Sequence, residues 1–150
     1  MSARRVPTGF LPSSLVDAVS RIDGLRVLAV IGSRARGDIH ARSDWDFGFL
    51  VDGPNRSSFA VADALRDVLT THLGTDAVDV VDLARASAVM RFHAARDGLC
   101  VFEVGPHDWD EFCVQAAHFW CDAGPTIERA QRELLATFGP TTNAAARDAP

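Results

Sequence analysis

Residues 26–51 read RVLAVIGSRARGDIHARSDWDFGFLV, and this stretch decides the fold. It begins with an apolar, β-branched run over residues 26–31. Gly32 closes that run, which is the pattern of a buried strand that ends in a tight turn. Residues 33–42 are polar and Arg-rich, so we expect them at the surface. From 44 to 51 polar and apolar residues alternate, which predicts a second strand with one apolar face.

Outside this stretch, the same patterns predict two further strands and five helices. The strands cover residues 78–83 and 99–104, and the helices begin at Ser13 or Ser14, at Ser57-Ser58, near Val89, at Asp108 and near Thr126. Asp108 with Glu111 is typical of a capping box, and Gly124-Pro125 is expected to end the helix that starts there. Strands alternating with helices predict an α/β fold, with a mixed sheet of about four strands and flanking helices.

One domain is expected, because 150 residues with 47% apolar content can bury a core without disulfides. The periodic patterns lie within residues 12–138, which form the predicted domain. Residues 1–11 and 139–150 are rich in Pro, Gly, Ala, Thr or Arg and have no periodicity. We therefore expect both ends to be poorly ordered tails.

The composition argues against several classes of function. A net charge of −5 argues against direct binding to nucleic acid, which depends on clustered cations that neutralise phosphates. The longest aliphatic run, residues 27–31, is far below the roughly 20 residues that cross a bilayer, so a cytoplasmic protein without a membrane partner is expected. The three cysteines, Cys100, Cys113 and Cys121, lack the spacing of a metal site and are expected to be reduced and mostly buried.

Asp44 and Asp46 are the first candidate catalytic residues. Because they are two positions apart on a predicted strand, their carboxylates project from the same face. Such a pair persists when it shares a proton, is solvated or binds a hard cation, and Mg²⁺ prefers a few carboxylates supplemented by water and phosphate oxygens. An isolated pair of this kind is more typical of a solvated strand end, so the pair does not identify a metal site by itself.

The turn upstream favours a phosphate ligand. Gly32 allows the backbone to approach a phosphate closely, and the Ser33 hydroxyl with nearby amides can hold its oxygens. Arg34 and Arg36 add positive charge, although either could also be a solvated loop residue. A P-loop is excluded because Asp38 stands where that motif requires Lys.

A third carboxylate would be needed to hold a metal pair and orient an attacking hydroxyl. The third predicted strand offers Asp79 and Asp82, whose odd spacing places them on opposite faces, so at most one faces Asp44 and Asp46. We choose Asp79, because an acid between Val78 and Val80 in mid-strand is costly without a partner. Asp82, near the strand end, is then a solvated or capping residue.

Gly32-Ser33, ten intervening residues and Asp44-Trp45-Asp46 match the GS-x10-DxD signature of the minimal nucleotidyltransferases. The chain resembles that family over residues 15–138, and the segments around Arg34 and Asp79 are similar to the MntA-type antitoxins. The resemblance implies a polymerase-β-like nucleotidyltransferase fold. Trp45 and Gly48 depart from the family, which more often has aliphatic residues there, so the pocket shape and nucleotide preference stay open.

The resemblance also implies a reaction. Gly32 and Ser33 would lie at the triphosphate of ATP, while Asp44, Asp46 and Asp79 would bind two Mg²⁺ ions. AMP would pass to a hydroxyl and pyrophosphate would leave. Family members pair with HEPN-domain ribonuclease toxins and adenylylate a tyrosine on them. Because this chain has no Tyr, a tyrosine acceptor must lie on another protein.

Two other hypotheses on the function compete with that of a toxin-directed adenylyltransferase. The fold could neutralise its partner by steric contact alone, or AMP could go to a small hydroxylated molecule. About 40 residues after position 104 leave little room for the extra substrate-binding region that small-molecule enzymes of this kind carry. His93 and His118 fall among apolar neighbours in predicted helices and are interpreted as structural histidines.

Overall fold

A computed structural model describes residues 3–40 and 42–138. Within them, five strands form one sheet: β1 (Arg4–Arg5), β2 (Leu25–Ile31), β3 (Trp45–Val51), β4 (Val78–Asp82) and β5 (Leu99–Glu103). Five helices connect or follow the strands: α1 (Ser13–Ser20), α2 (Gly32–Arg36), α3 (Ser58–Leu73), α4 (Ala88–Asp97) and α5 (Asp108–Thr137). The four strands predicted from periodicity are confirmed as β2 to β5.

The sheet is mixed, in the order β1-β5-β2-β3-β4. The central strand β2 runs antiparallel to both of its neighbours, β3 and β5, while β4 is parallel to β3 and β1 is parallel to β5. β2 is almost completely buried because it has a neighbour on each side and helices over both faces. The end of β2 and the start of β3 therefore meet at one edge of the sheet, where the site lies.

Helices cover both faces of the sheet. On one face, α1 and α3 pack through their apolar stripes against alternate residues of β2 and β3 such as Phe47 and Phe49. On the other face, α4 and α5 pack against Val27, Ala29 and Ile31 of β2. The alternation predicted for residues 44–51 is confirmed, because Phe47 and Phe49 face the first layer and Leu50 the second.

The N-terminal stretch differs from the expected irregular tail. Arg4 and Arg5 pair with Leu99 and Cys100 of β5, and the Val6 amide donates to the Cys100 carbonyl at 3.0 Å. Leu11 is buried in the core beside α1. Backbone pairing stabilises a two-residue edge strand without any hydrophobic pattern, so periodicity does not reveal it. The other predicted tail, 139–150, lies outside the described residues.

Helix boundaries differ in two places. Pro12, and neither Ser13 nor Ser14, occupies the N-cap of α1, where no side chain caps the helix. The two helices expected on either side of Gly124-Pro125 are one continuous helix, α5, with Pro125 inside it. Gly124 is buried beneath Trp120, since a Cβ atom there would lie 2.8 Å from the indole, so this glycine serves packing and does not end the helix.

The start of α5 also departs from the predicted capping box. Asp108 Oδ2 accepts a hydrogen bond from the Gly105 amide at 2.7 Å, which closes the preceding turn. Asp108 Oδ1 forms an ion pair with Arg26, also at 2.7 Å. His107 is the N-cap residue. Every helix within residues 3–40 and 42–138 is too short or too polar to cross a bilayer. Cys100 and Cys113 are buried as expected, whereas Cys121 is exposed.

Candidate active site

The three predicted carboxylates meet at one edge of the sheet. Asp44 immediately precedes β3, and Asp46 is the second residue of that strand. Because β4 runs parallel to β3, Asp46 and Asp79 are direct neighbours across the strand pair. Residues 33 positions apart in sequence are thereby brought side by side, which no local pattern predicts.

The carboxylate of Asp46 lies in an environment that disfavours its charge. Its pKa is raised above the ordinary 3.8, first by desolvation and then by the negative charges of Asp79 and Asp44. Arg34 and Arg36 act in the opposite direction but do not outweigh these effects. The site therefore carries an excess of negative charge that a bound cation would relieve.

Gly32 forms the wall of the site opposite Asp46. Ile31 pairs with Asp46 across the antiparallel strands, so the chain turns into α2 directly beside that carboxylate. Gly32 has a φ of +71°, a conformation that L side chains rarely adopt, and a Cβ atom there would lie 2.6 Å from Asp46 Oδ2. Glycine is required at this position for both reasons.

The segment after Gly32 forms one short helix, α2, which ends at Gly37 with a φ of +83°. The Ser33 carbonyl accepts from the amides of Gly37 and Asp38, and this closes the turn. Ser33 is partly exposed in the first turn of α2, so its hydroxyl can reach a ligand at the helix start. Arg36 is exposed and pairs with Asp38 at 3.2 Å.

Arg34 is engaged differently from Arg36. Its Nε donates to the Asp44 carbonyl at 3.2 Å, and its Nη2 donates to the Ser43 carbonyl at 2.7 Å. The guanidinium lies 4.0 Å from the centre of the Trp45 ring. Trp45, which departs from the resembling family, is thus the surface on which Arg34 stacks.

Asp79 and Asp82 occupy different surroundings on β4. Asp82 Oδ1 accepts from the Ala84 amide at 3.0 Å, and Arg85 lies 3.9 Å from its other oxygen, so Asp82 stabilises the turn after β4. Asp79 faces Asp46 and is exposed, at the second position of the strand. The argument that it is a costly buried acid in mid-strand is wrong, although the geometry still favours Asp79 as the neighbour of Asp46.

A cavity of about 390 Å³ opens beside Gly32, Arg36 and Asp46. Its other walls come from the end of β4 and from α4, and are largely apolar: Ile31, Val81, Ser87, Val89, Met90, His93 and Ala94. A cavity with apolar walls and a few polar groups at one end is the usual form of a small-molecule site. The sequence carried no signal for these residues, because they become neighbours only through the fold.

His93 differs from the structural histidine expected at that position. It is exposed on α4 and lines the cavity, and its Nδ1 lies 3.1 Å from Arg96 Nη2. His118 is exposed as well.

Gly48, the second departure from the resembling family, is explained by packing. A Cβ atom at Gly48 would lie 2.8 Å from the Leu83 side chain, and Leu83 is fully buried. The leucine that follows β4 therefore fills the space that a side chain at position 48 would occupy. The sheet surface at Gly48, two residues from Asp46, is therefore covered by an apolar side chain despite the glycine.

The donor set suits a hard cation that brings other ligands with it. Within the described residues, no group of three or more His, Cys, Asp or Glu side chains is arranged to hold an ion alone. Mg²⁺ commonly binds through one or two carboxylates together with waters and substrate phosphates. The oxygen donors of Asp44 and Asp46, with the repulsion at Asp46, fit that mode of binding.

Comparison with known proteins identifies relatives of this chain. The family model described as polymerase beta, nucleotidyltransferase matches residues 14–106. Protein adenylyltransferase MntA from Aphanizomenon flos-aquae (strain 2012/KM1/D3) is 30% identical over 103 residues, which are 63% of this chain and 67% of the relative.

Solved structures share the fold. A toxin–antitoxin crystal structure with AMP-PNP matches with a TM-score of 0.58 and 24% identity, covering 79% of this chain and 94% of the other. The structure of tri-AMPylated Shewanella oneidensis HEPN toxin in complex with MNT antitoxin matches with a TM-score of 0.52 and 22% identity, covering 79% and 91%. At this level of identity, the likeness concerns the fold.

Proposed function

Since this chain belongs to the polymerase beta nucleotidyltransferase family, we propose that it transfers AMP from ATP to a hydroxyl of a partner protein. The partner is a HEPN-type ribonuclease toxin, which this chain inactivates as its antitoxin. Family membership confirms the predicted fold and the resemblance based on residues 32–46. The name of the curated relative, a protein adenylyltransferase, supports the choice of AMP and of a protein acceptor.

The position of Asp46 carries the proposal, because this carboxylate lies between the turn at Gly32 and a second carboxylate. Asp46 adjoins Gly32 on one side and Asp79 on the other, with Asp44 two residues away. A structural ion-pair network would place a cationic side chain among these acids. Here desolvation and then the charges of two carboxylate neighbours raise the pKa of Asp46 in spite of Arg34 and Arg36, which is typical of a site that binds a cation.

Nucleotide binding is assigned to the segment after β2. Gly32 lets the backbone of the turn lie directly beside Asp46, and the Ser33 hydroxyl can donate to a phosphate oxygen there. Arg36 lines the cavity beside Asp46 and adds positive charge there. The apolar walls that Val81, Met90 and their neighbours provide suit the flat faces of a purine, so the base lies in the cavity of about 390 Å³.

Asp44, Asp46 and Asp79 would hold Mg²⁺. When bound, the metal neutralises phosphate oxygens and orients the reacting groups. The acceptor oxygen attacks the α-phosphorus, a new P–O bond forms, and the bond to the departing pyrophosphate breaks. Asp79, exposed at the rim, accepts the proton of the acceptor hydroxyl.

The acceptor is a tyrosine on the partner. This chain has no Tyr, so a tyrosine-linked AMP cannot arise by self-modification. The exposed position of Asp79 leaves the proton-accepting side of the site open to a second protein. A hydroxyl presented by a partner chain can therefore reach the carboxylates without rearrangement of the fold.

Mass spectrometry of the HEPN-type protein encoded beside this chain, incubated with it and MgATP, tests the proposal. Addition of one or more AMP units that is absent with the Asp44→Ala/Asp46→Ala variant would support it. A partner that stays unmodified but is inhibited equally by wild type and variant would contradict it and indicate steric neutralisation. AMP found only on added small hydroxylated molecules would redirect the activity to such substrates.

A further inference from the structure

Arg34 is the side chain in the site with the most specific contacts. Two of its nitrogens donate to two successive backbone carbonyls, those of Ser43 and Asp44, at 2.7 and 3.2 Å. Its flat guanidinium stacks on the Trp45 ring at 4.0 Å. The three residues that Arg34 contacts are therefore consecutive, and the middle one is Asp44.

The backbone at Asp44 depends on such support. Residues 37–40 and 42–44, between α2 and β3, have no regular structure, and β3 begins only at Trp45. The ladder between β3 and β4 starts at Trp45, whose amide donates to the Ala77 carbonyl at 2.8 Å, so Asp44 lies just outside it. A carboxylate that binds a metal must be held within about 0.5 Å of its productive position, and that precision requires neighbours that lock it.

Trp45 is itself anchored. Its ring stacks on Phe47 with the centroids 5.9 Å apart and an angle of 13° between the planes. The edge of Phe10, from the N-terminal stretch, meets it at 6.2 Å and 81°. Arg34 therefore stacks on a surface that is continuous with the core and does not move independently of it.

We propose that Arg34 and Trp45 form a clamp that positions Asp44 and thereby sets the affinity of the site for its divalent cation. The inference rests on the proposed function for the role of Asp44. It assigns Arg34 as a positioning residue, because its contacts go to the backbone of residues 43–44, and leaves Arg36 as the arginine that faces the nucleotide cavity. The aromatic residue at position 45, where the resembling family more often has an aliphatic one, makes the clamp a feature of this chain.

Four variants test the clamp. Arg34→Lys keeps the positive charge but loses the planar fork that bridges two carbonyls and stacks on an aromatic ring. Arg34→Gln loses the charge as well. Trp45→Phe keeps a ring for the guanidinium, whereas Trp45→Leu removes it. Arg36→Gln is the contrasting variant, and Arg66→Gln, in an exposed pair with Asp63, is the control for a general effect of losing an arginine.

The first measurement is Mn²⁺ binding by electron paramagnetic resonance, on protein loaded with a non-hydrolysable ATP analogue whose phosphate oxygens complete the ligand set. Loss of residues that orient metal ligands typically weakens metal affinity by about 10- to 100-fold, and we expect that loss for Arg34→Lys, Arg34→Gln and Trp45→Leu. Trp45→Phe should bind Mn²⁺ more tightly than Trp45→Leu. Wild-type affinity in Arg34→Lys would overturn the clamp, since charge alone would then suffice.

The second measurement separates positioning from nucleotide binding. For a non-hydrolysable ATP analogue in calorimetry, Arg34→Lys should leave the Kd unchanged, and Arg36→Gln should raise it. At saturating MgATP and Mg²⁺ concentrations, the turnover of Arg34→Lys should stay about 100-fold below wild type, because a small displacement of a catalytic group has an effect of that size. A raised analogue Kd with normal Mn²⁺ affinity in Arg34→Lys would make Arg34 a phosphate ligand instead.

Failure of the proposed function can be distinguished from failure of the clamp. If wild-type protein transfers no AMP, the proposed function fails, but Mn²⁺ binding still tests the clamp because it needs no acceptor. Thermal melting shows which variants fold. If both Arg34 variants unfold, the comparison of Trp45→Phe with Trp45→Leu decides, and equal Mn²⁺ affinity in those two would reject the clamp.

Discussion

Gly32 and Asp46 occupy space that only glycine at position 32 allows them to share. A Cβ atom on Gly32 would lie 2.6 Å from Oδ2 of Asp46, closer than real Cβ contacts come. The two residues are 14 positions apart, and the antiparallel pairing of β2 with β3 brings them together. The glycine of the turn and the second aspartate are thus one structural unit.

Gly32→Ala should therefore reduce both stability and activity. The left-handed backbone conformation alone costs an alanine about 1 kcal/mol or more, and displacement of Asp46 should lower AMP transfer by about 100-fold. Gly37→Ala is the matched control, since Gly37 has a φ of +83° but nothing within 4 Å of a new Cβ. Urea unfolding should show a stability loss in both variants, larger for Gly32→Ala because of the contact with Asp46, and AMP transfer should fall for Gly32→Ala only. Equal activity losses would mean that crowding of Asp46 is not the cause.

Single substitutions of Asp79 and Asp82 should have different effects on turnover. Asp79→Asn removes the carboxylate that lies beside Asp46 in the register of β3 and β4. We expect a fall in turnover of about 100-fold, within the range for loss of a general base. Asp82→Asn alters only the turn after β4 and should keep near wild-type turnover. Steady-state assays with MgATP and the partner protein measure both. The reverse order would make Asp82 the third carboxylate.

The ion pair between Arg26 and Asp108 should make stability depend on pH in the acid range. The hydrogen bond from Arg26 lowers the Asp108 pKa below its ordinary 3.8. A lowered carboxyl pKa stabilises the folded state above the unfolded value, and this contribution disappears as the pH falls through the folded value. Asp108→Asn should thus reduce Tm at about pH 7, and the difference from wild type should vanish well below pH 3.8. A difference that persists in acid would indicate a packing effect.

The three cysteines should react in two classes. Burial raises the pKa of the Cys100 and Cys113 thiols to about 12, whereas Cys121 is exposed on α5. Because the thiolate is the reactive form, a thiol reagent at about pH 8 should label Cys121 alone in the folded protein. All three should react in denaturant. Rapid labelling of two or more thiols in the folded state would contradict the packing of α5 on the sheet.

Much of the fold could be predicted because its elements differ in local period. The alternation at residues 44–51 and the apolar run at 26–31 predicted β3 and β2 to within one residue at each end. A serine cap predicted the start of α3, and the Ser57 side chain accepts from the Ala60 amide. The start of α4 was placed near Val89, and the cap at Ser87, which accepts from the Met90 amide, was not predicted. The strand β1 was missed because two exposed arginines have no pattern, and the continuity of α5 was missed because Gly124-Pro125 is typical of a helix end.

The candidate site, like the fold, could be predicted from the sequence only in part. The spacing from Gly32-Ser33 to Asp44 and Asp46 identified the turn and the carboxylates, since these are close in sequence. The cavity walls were not predictable, because Val81, Met90 and His93 reach the site from later elements. Arg34 was predicted as a phosphate ligand on its charge, and its contacts with the backbone of residues 43–44 became visible only in three dimensions.

The sequence by itself determined which segments form strands and helices and which residues could carry the chemistry, because side-chain periodicity and glycine positions act within a few residues. Only the tertiary structure decided which of them become neighbours. The parallel register of β3 and β4 set Asp79 beside Asp46, and backbone pairing placed β1 at the edge of the sheet. Such pairing joins peptide groups that every residue has, so it leaves little trace in the amino-acid sequence.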